Sequence, residues 1–518
     1  MTQNTTERSP LLSGLSTRLG ASATTDDGES AVSAHRTTSD STLVSSASLQ
    51  PDVPDSLWVE IQSQLALAIP IILSQFLQWT VFIFAMLALG RIGGKQLAAG
   101  GAALPFCNVT GYLVGVGLSS ALDTLCSQAV GVVRKSEAQG ASSKDSDPYV
   151  LGKILQRAFL MVTGVTTLVS VLWWNAEPIL IALGQDAEVS QLAAHFIKYM
   201  LPGFLPDMLF ECMRHYLQAQ GLPHATTYCV FATALVNIPL TYLLVLPPRF
   251  GIGYIGAAVA ISTTQTLNCV LLALYIAFVD GNSGWGGWTM DVFDPASFGA
   301  LLSLAFPALA MTLFDGSVFE VLCLLAGTLS PTELAGQTIL TTNTAGTLWM
   351  ISVGIGFAAS IRVGNEVGAG NPRRAKASAW RTLGVAVSIA ALDSTVFVAG
   401  RDVVLWAYTS DNAVRAVIKT PLLLVPLHHI LDACNVELSG VIRGTGYQLF
   451  GALCQFAHYV IGIPFGCVLA FSCGWGLVGL WIGLISSTAL VVVSELVFVG
   501  SLDWAREVEK AAERIAQQ

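Results

Sequence analysis

Charged residues withdraw from long stretches of this chain and return in short clusters. Ala296–Thr312, Leu334–Ile361 and Gly474–Val499 are almost free of charge. A bilayer core of about 30 Å is crossed by about 20 apolar residues in a helix. Cutting the chain at its polar clusters and Gly/Pro breaks predicts about twelve such spans. They fall at 62–89, 97–130, 151–174, 190–219, 226–247 and 253–279, then at 297–328, 333–362, 378–399, 413–442, 447–471 and 476–500. The pattern predicts an all-α integral membrane protein.

The spans repeat in order. Leu67-Ala68-Ile69-Pro70 recurs as Leu304-Ala305-Phe306-Pro307, and Val114-Gly115-Val116-Gly117 as Val353-Gly354-Ile355-Gly356. Gln218-Ala219-Gln220-Gly221 answers Arg443-Gly444-Thr445-Gly446, and Ile238-Pro239 answers Ile463-Pro464. Six spans separate the copies, so both halves cross the membrane in the same sense. This is a parallel repeat of two six-helix lobes about a pseudo-twofold axis along the membrane normal. The expected divisions are a polar tail over 1–55, an N-lobe over 56–280, an inter-lobe loop over 281–295, a C-lobe over 296–502 and a tail over 503–518.

Composition agrees: 53% of residues are hydrophobic and 11% charged, against about 25% charged in soluble domains. Residues 1–55 are too polar to bury a core. Within them Glu7-Arg8-Ser9-Pro10-Leu11-Leu12 resembles an acidic dileucine sorting signal. The net charge of −9 comes without a basic face, so no nucleic-acid partner is indicated. The 10 cysteines lie in apolar segments without paired spacing, which indicates neither a disulfide framework nor a metal site. Arg134, Lys135, Lys144 and Lys153 follow the second span, and Arg373, Arg374, Lys376 and Arg381 the eighth. The positive-inside rule puts these loops, and both termini, in the cytoplasm; Arg249, Arg401 and Lys419 fall on the other side.

Carboxylates inside apolar helices are expensive and mark function. At the repeat offset, Gln78 and Ile83 of the first half become Asp315 and Glu320 of the second. Five residues apart, these acids point about 140° away from one another on a helix. Asp432 sits near mid-depth in the tenth span, shares a face with His428 one turn earlier, and has Asp207 as its N-lobe counterpart. Asp315, Glu320, Asp432 and His428 are therefore the candidate proton- and substrate-binding residues, with Asp207 and Gln78 as secondary candidates. Asp123 and Arg362 occupy equivalent positions in the two halves; their opposite charges suggest a cytoplasmic gate closed across the axis, beside the plainer reading of interfacial charges that anchor the helix ends.

These passages resemble the multidrug and toxic compound extrusion (MATE) family, of the eukaryotic branch. The resemblance runs from about residue 60 to 500 and rests most on Ala121-Leu122-Asp123-Thr124-Leu125-Cys126-Ser127-Gln128-Ala129-Val130-Gly131 and Arg362-Val363-Gly364-Asn365-Glu366-Val367-Gly368-Ala369-Gly370-Asn371-Pro372. It implies proton-driven antiport of organic cations or xenobiotics out of the cytosol by a chain that works as a monomer. No cofactor is implied, and sodium stays open beside the proton as coupling ion. The family's seventh helix carries Glu-Trp-Trp-x-x-Glu; here the positions read Asp315-Gly316-Ser317-Val318-Phe319-Glu320, with both acids kept and the Trp pair absent. The family's tenth-helix acid matches Asp432. A vacuolar or plasma membrane is expected. A lipid or glycolipid flippase on the same plan is the rival reading, disfavoured because mid-span charges are mostly acidic. An enzyme is not indicated, since only His428-His429 offers clustered ligands.

Overall fold

Hydrocarbon offers the backbone no hydrogen-bond partners, so each apolar stretch satisfies itself as helix. A computed structural model describes residues 56–139, 147, 149–246, 251–341, 348–409 and 411–518. The dileucine-like pattern of the 1–55 tail, Lys144 and Arg249 lie outside the described residues. Among the described residues, the helices fall into twelve successive passes. They are α1 (Leu57–Ile92), α2 (Gly94–Ala138), α3 (Val150–Trp174), α4 (Ala187–Ala219), α5 (Pro223–Val245) and α6 (Ile255–Phe278), then α7 (Pro295–Leu329), α8 (Pro331–Thr341 and Trp349–Gly368), α9 (Pro372–Tyr408), α10 (Val425–Thr445), α11 (Gln448–Ser472) and α12 (Gly476–Ser501). Among the described residues, nine helices are long and apolar enough to cross a membrane; α4, the two described pieces of α8, and α10 fall outside that class. Of these, α4 and α10 carry many buried polar side chains, Glu211, Arg214 and His215 on α4 and Asp432, Asn435 and Glu437 on α10. Those helices face the protein interior.

The tenth pass departs from the expected continuous span over 413–442. A short helix, Asn412–Ile418, and a tight turn at Pro421–Leu423 precede α10. Pro421 and Pro426 lack the N–H that a continuous helix would need there. The repeated glycines have a common cause. Gly221 and Gly446 end α4 and α10 at φ of 85° and 87°, the left-handed backbone that glycine adopts without a Cβ penalty. After each glycine the next N–H returns to the helix, Leu222 to Leu217 O at 3.0 Å and Tyr447 to Ile442 O at 2.9 Å.

The lobes meet along α2 and α8. A Cβ on Gly131 would collide with the Asn365 carbonyl, and one on Gly368 with the Gln128 carbonyl. Glycine lets the two backbones touch, the device by which membrane helices associate without a hydrophobic drive. Gln64 Nε2 donates to Ile355 O (3.1 Å) from α1 to α8, and Gln128 Nε2 to Gly444 O (2.9 Å) from α2 to α10. These contacts gather at one end, termed here the basic end because the cluster at Arg134, Lys135, Arg373 and Arg374 lies there.

The segment 503–518, read from sequence only as a tail, forms an amphipathic helix, α13 (Trp504–Ala516). Asp503 caps it by accepting the Ala505 N–H at 3.2 Å. Trp504 and Ala511 join a C-lobe apolar cluster, whereas Ile515 joins the N-lobe core. Arg514 donates to Gln128 Oε1 (2.6 Å), and Arg157 of α3 donates to Gln518 O (2.9 Å) and Oε1 (3.0 Å). One helix thus straps both lobes.

Gly131→Leu forces the α2–α8 backbones apart. Overpacking of this kind costs about 1–3 kcal/mol, so the detergent-solubilised variant is expected to melt several degrees below the parent. An unchanged melting temperature overturns the close-packing argument.

Candidate functional site

In the C-lobe, Pro307 lies inside α7 and Asp315 two turns beyond it. Asp315 is partly buried, and Oδ1 accepts the Asn435 Nδ2–H at 3.3 Å. Asn435 is part of a run on α10: Asp432, Asn435 and Ser439 are three and four residues apart and so share one face. Asp432 is 7% exposed. Gln455 of α11 donates to Asn435 Oδ1 (2.7 Å) and to Ser439 Oγ (3.3 Å), and Ser439 donates to Glu495 Oε1 on α12 (3.1 Å). Ser317 and Tyr459 share a hydroxyl hydrogen bond of 2.6 Å beside this chain. Among the described residues, neither Asp315 nor Asp432 forms an ion pair with a base.

His428 lies on the Asp432 face as expected but is gripped edgewise by Phe319 (5.9 Å) and Trp481 (5.6 Å). Its surroundings are aromatic, and Trp481 is itself held by Gln337, which accepts the indole N–H at 2.9 Å. Glu320 is partly buried and, among the described residues, has no hydrogen-bonded side chain. The helical offset between the two α7 acids explains the division: Asp315 turns to α10, and Glu320 does not.

The N-lobe counterpart is less acidic in effect. Asp207 sits on α4 between Pro206 and a cluster in which Arg214 pairs with Glu211 and donates to Gln75 Oε1 (3.0 Å). Gln78 on α1 keeps a buried Nε2 without a partner among the described residues. Tyr112, accepting from Gln265 Nε2 (2.9 Å), stacks edgewise with Trp173 and Phe204. A cavity of about 300 Å³ lined by Glu177, His195, Lys198 and Tyr254 holds none of the candidate acids.

The expected direct pairing of Asp123 with Arg362 is not formed. Arg362 makes two bonds of 2.8 Å to Glu60 of α1, whose Oε1 also accepts from Ser378. Asp123 bonds His215 Nδ1 at 2.6 Å and lies 3.6 Å from Arg443 Nε. The reason is helical phase. Gly364 presses on Ser127 of α2, and Arg362, two residues earlier, is turned about 200° away, toward α1. Both observed pairs still join the lobes at the basic end, Glu60–Arg362 and Asp123–Arg443. Phe357 sits between the cations, with the Arg214 and Arg443 guanidinium carbons 5.3 and 5.5 Å from its ring centre.

The sequence reading missed Glu60, Arg443, Asn435, Gln455, Glu437 and Glu495. Glu437 and Glu495 are both 0% exposed, and the rule applied to Asp315, that acids inside apolar helices are functional, would have flagged each. The amides carry no charge signal, and only packing shows their role.

The MatE family model matches residues 70–243 and 307–468, one segment in each lobe. Protein DETOXIFICATION 17 of Arabidopsis thaliana is 33% identical over 88% of this chain and 93% of its own length. Multidrug and toxin extrusion protein 1 of Xenopus tropicalis is 32% identical over 90% of this chain and 78% of its own length. The solved structure of the eukaryotic MATE transporter AtDTX14 superposes with a TM-score of 0.81 at 29% identity, covering 89% of this chain and all of that one.

Removing one partner of a buried ion pair costs about 3–5 kcal/mol, so Glu60→Gln should loosen the basic end. Spin labels at Glu137 and Arg373, both exposed and on opposite lobes, read this as a distance distribution. A second, longer distance is expected in Glu60→Gln, and a single distance identical to the parent's refutes the gate assignment.

Proposed function

This chain belongs to the MatE family of multi-pass membrane transporters, and on that premise we propose that it is a proton-driven antiporter of organic cations or weakly basic xenobiotics. The observation that carries the reading is the C-lobe pair Asp315 and Asp432: two acids in the helix bundle, on facing helices, with no basic ion-pair partner among the described residues. A carboxylate kept from water without a counter-ion favours whatever positive charge reaches it, a proton or an organic cation. The names of the relatives, multidrug and toxin extrusion, agree with cargo of that kind.

The cycle follows from competition for one negative site. In the form open to the cytoplasm, cargo binds beside the ionised acids. The lobes then rock about their shared axis, the Glu60–Arg362 and Asp123–Arg443 pairs re-form, and the basic end closes. Protons from the acidic side neutralise the acids, cation affinity falls, and cargo leaves. Protonation shifts the population only because the two forms differ in affinity for the proton. The described structure, with both inter-lobe pairs made, corresponds to the form closed at the basic end. The basic end faces the cytoplasm by the positive-inside rule, with both termini there, in a vacuolar or plasma membrane, and the chain works as a monomer.

The test is cargo uptake into proteoliposomes under an imposed pH gradient. Asp315→Asn and Asp432→Asn are each expected to lower the initial rate by about tenfold or more, about 1.4 kcal/mol of lost stabilisation, while remaining monodisperse in detergent. Glu320→Gln should lose less, because Glu320 stands outside the α10 chain of contacts. Wild-type rates in both Asp variants, or a rate that follows a sodium gradient at constant pH, overturn proton coupling through these acids.

A further inference from the structure

The cavity of about 300 Å³ lies at the end of the N-lobe opposite the basic end, beside the outer ends of α3, α4 and α6. Helix α3 runs outward from Lys153 and stops at Trp174, and α6 turns back inward at Ile255, one residue after Tyr254. Trp and Tyr at the ends of spans mark the membrane–water boundary, so the cavity sits at head-group level. Gln191, His195 and Lys198 line it from α4, four and three residues apart and therefore on one face. Tyr254 is held there by a 3.1 Å hydrogen bond between its hydroxyl and His195 Nδ1.

Two opposite charges line this cavity without meeting. Glu177, on the short connecting helix Ala176–Ala182, and Lys198 are both half-buried, and neither has an ion-pair partner among the described residues. Nearby charges are matched: Lys95 pairs with Glu188 at 2.7 Å, and Asp186 caps α4 by accepting the Glu188 and Val189 N–H groups at 3.0 and 3.1 Å. A carboxylate and an ammonium that share a half-buried cavity and leave a gap between them suit a ligand carrying both signs. The surface beside it is apolar and open. Trp174, whose ring centre is 5.3 Å from Lys198 Nζ, is 62% exposed, and Tyr199, stacked edgewise on His195, is 41% exposed.

We propose that this cavity binds the head group of an amine-bearing zwitterionic phospholipid, of the phosphatidylethanolamine type, from the leaflet opposite the basic end. The phosphate lies against Lys198 and the polar groups of Gln191 and Tyr254, the ammonium against Glu177, and the acyl chains pass over Trp174 and Tyr199. A primary ammonium donates charge-assisted hydrogen bonds to a carboxylate, whereas a choline head has no N–H to give. A water-soluble zwitterion matches the two charges and leaves the apolar rim unused. The lipid bridges three separate segments, the connecting helix, α4 and the start of α6, and so stabilises the outer end of the N-lobe by mass action. The inference is independent of the antiport reading.

The test takes the full chain in detergent with equal amounts of dioleoyl-phosphatidylethanolamine and dioleoyl-phosphatidylcholine. Native mass spectrometry reads which lipid the singly occupied protein retains. The parent is expected to favour the ethanolamine lipid about tenfold, the discrimination that about one charge-assisted hydrogen bond supplies. Glu177→Gln should bring that ratio close to unity. Lys198→Gln should lower retention of both lipids about tenfold, and Lys198→Arg should restore it. A ratio unchanged by Glu177→Gln, or retention unchanged by Lys198→Gln, overturns the site. Soluble phosphoethanolamine forms the third arm: if it displaces the lipid at equal concentration, the cavity belongs to a free zwitterion and the lipid assignment fails. A measurement on the parent alone does not depend on how any variant folds. Its melting temperature is expected to rise more with the ethanolamine lipid than with the choline lipid, and equal shifts refute the proposal.

Discussion

A charged group kept from water must find a partner, and hydrocarbon supplies none. That constraint organises this protein. At the basic end the charges are matched across the lobes, Glu60 with Arg362 and Asp123 with Arg443, and the matching draws the lobes together there. Within the C-lobe Asp315 is met by the Asn435 amide and Glu495 by the Ser439 hydroxyl, and neither these acids nor Asp432 forms an ion pair with a base among the described residues. Matched pairs hold the lobes together, while the unmatched acids are the groups on which the proposed exchange rests. The same physical rule yields matched pairs between the lobes in one place and unpaired acids in another.

Duplication made this division possible. Two lobes with one helical plan put α2 against α8 and hold the backbones together through Gly131, Gly364 and Gly368. Divergence then loaded them unequally. Where α7 carries Asp315 and Glu320, the corresponding part of α1 carries Gln78 and Ile83. The N-lobe retains Asp207 but surrounds it with Glu211 and Arg214, already paired, and lines its interior with Tyr112, Trp173 and Phe204. One lobe offers aromatic faces, the other free acid. The strap formed by α13 lies against both at the basic end, so its contacts must change whenever that end opens.

Much of this was legible beforehand. Long uncharged runs require helices, the ordered repeat requires two lobes, and the glycines at 221 and 446 announce the turns that end α4 and α10. Asp315 and Asp432 stood out because single acids are conspicuous in apolar sequence. Glu437 and Glu495 are as conspicuous by that rule. Neutral Asn435 and Gln455 gave no signal at all. The expected pairing of Asp123 with Arg362 is not formed: a phase difference of two residues on α8 sends Arg362 to Glu60, and Asp123 lies against Arg443 instead.

What the order of residues determined alone is the number of passes, their duplication and the unequal placement of acids, because hydrophobic length and backbone self-sufficiency act locally along the chain. What only the folded bundle decided is which polar groups meet. Asn435 reaches Asp315 across 120 positions and Gln448 reaches Thr124 across 324. Such distant partners are chosen by helix phase and by how closely glycine lets two backbones approach, and both are properties of packing.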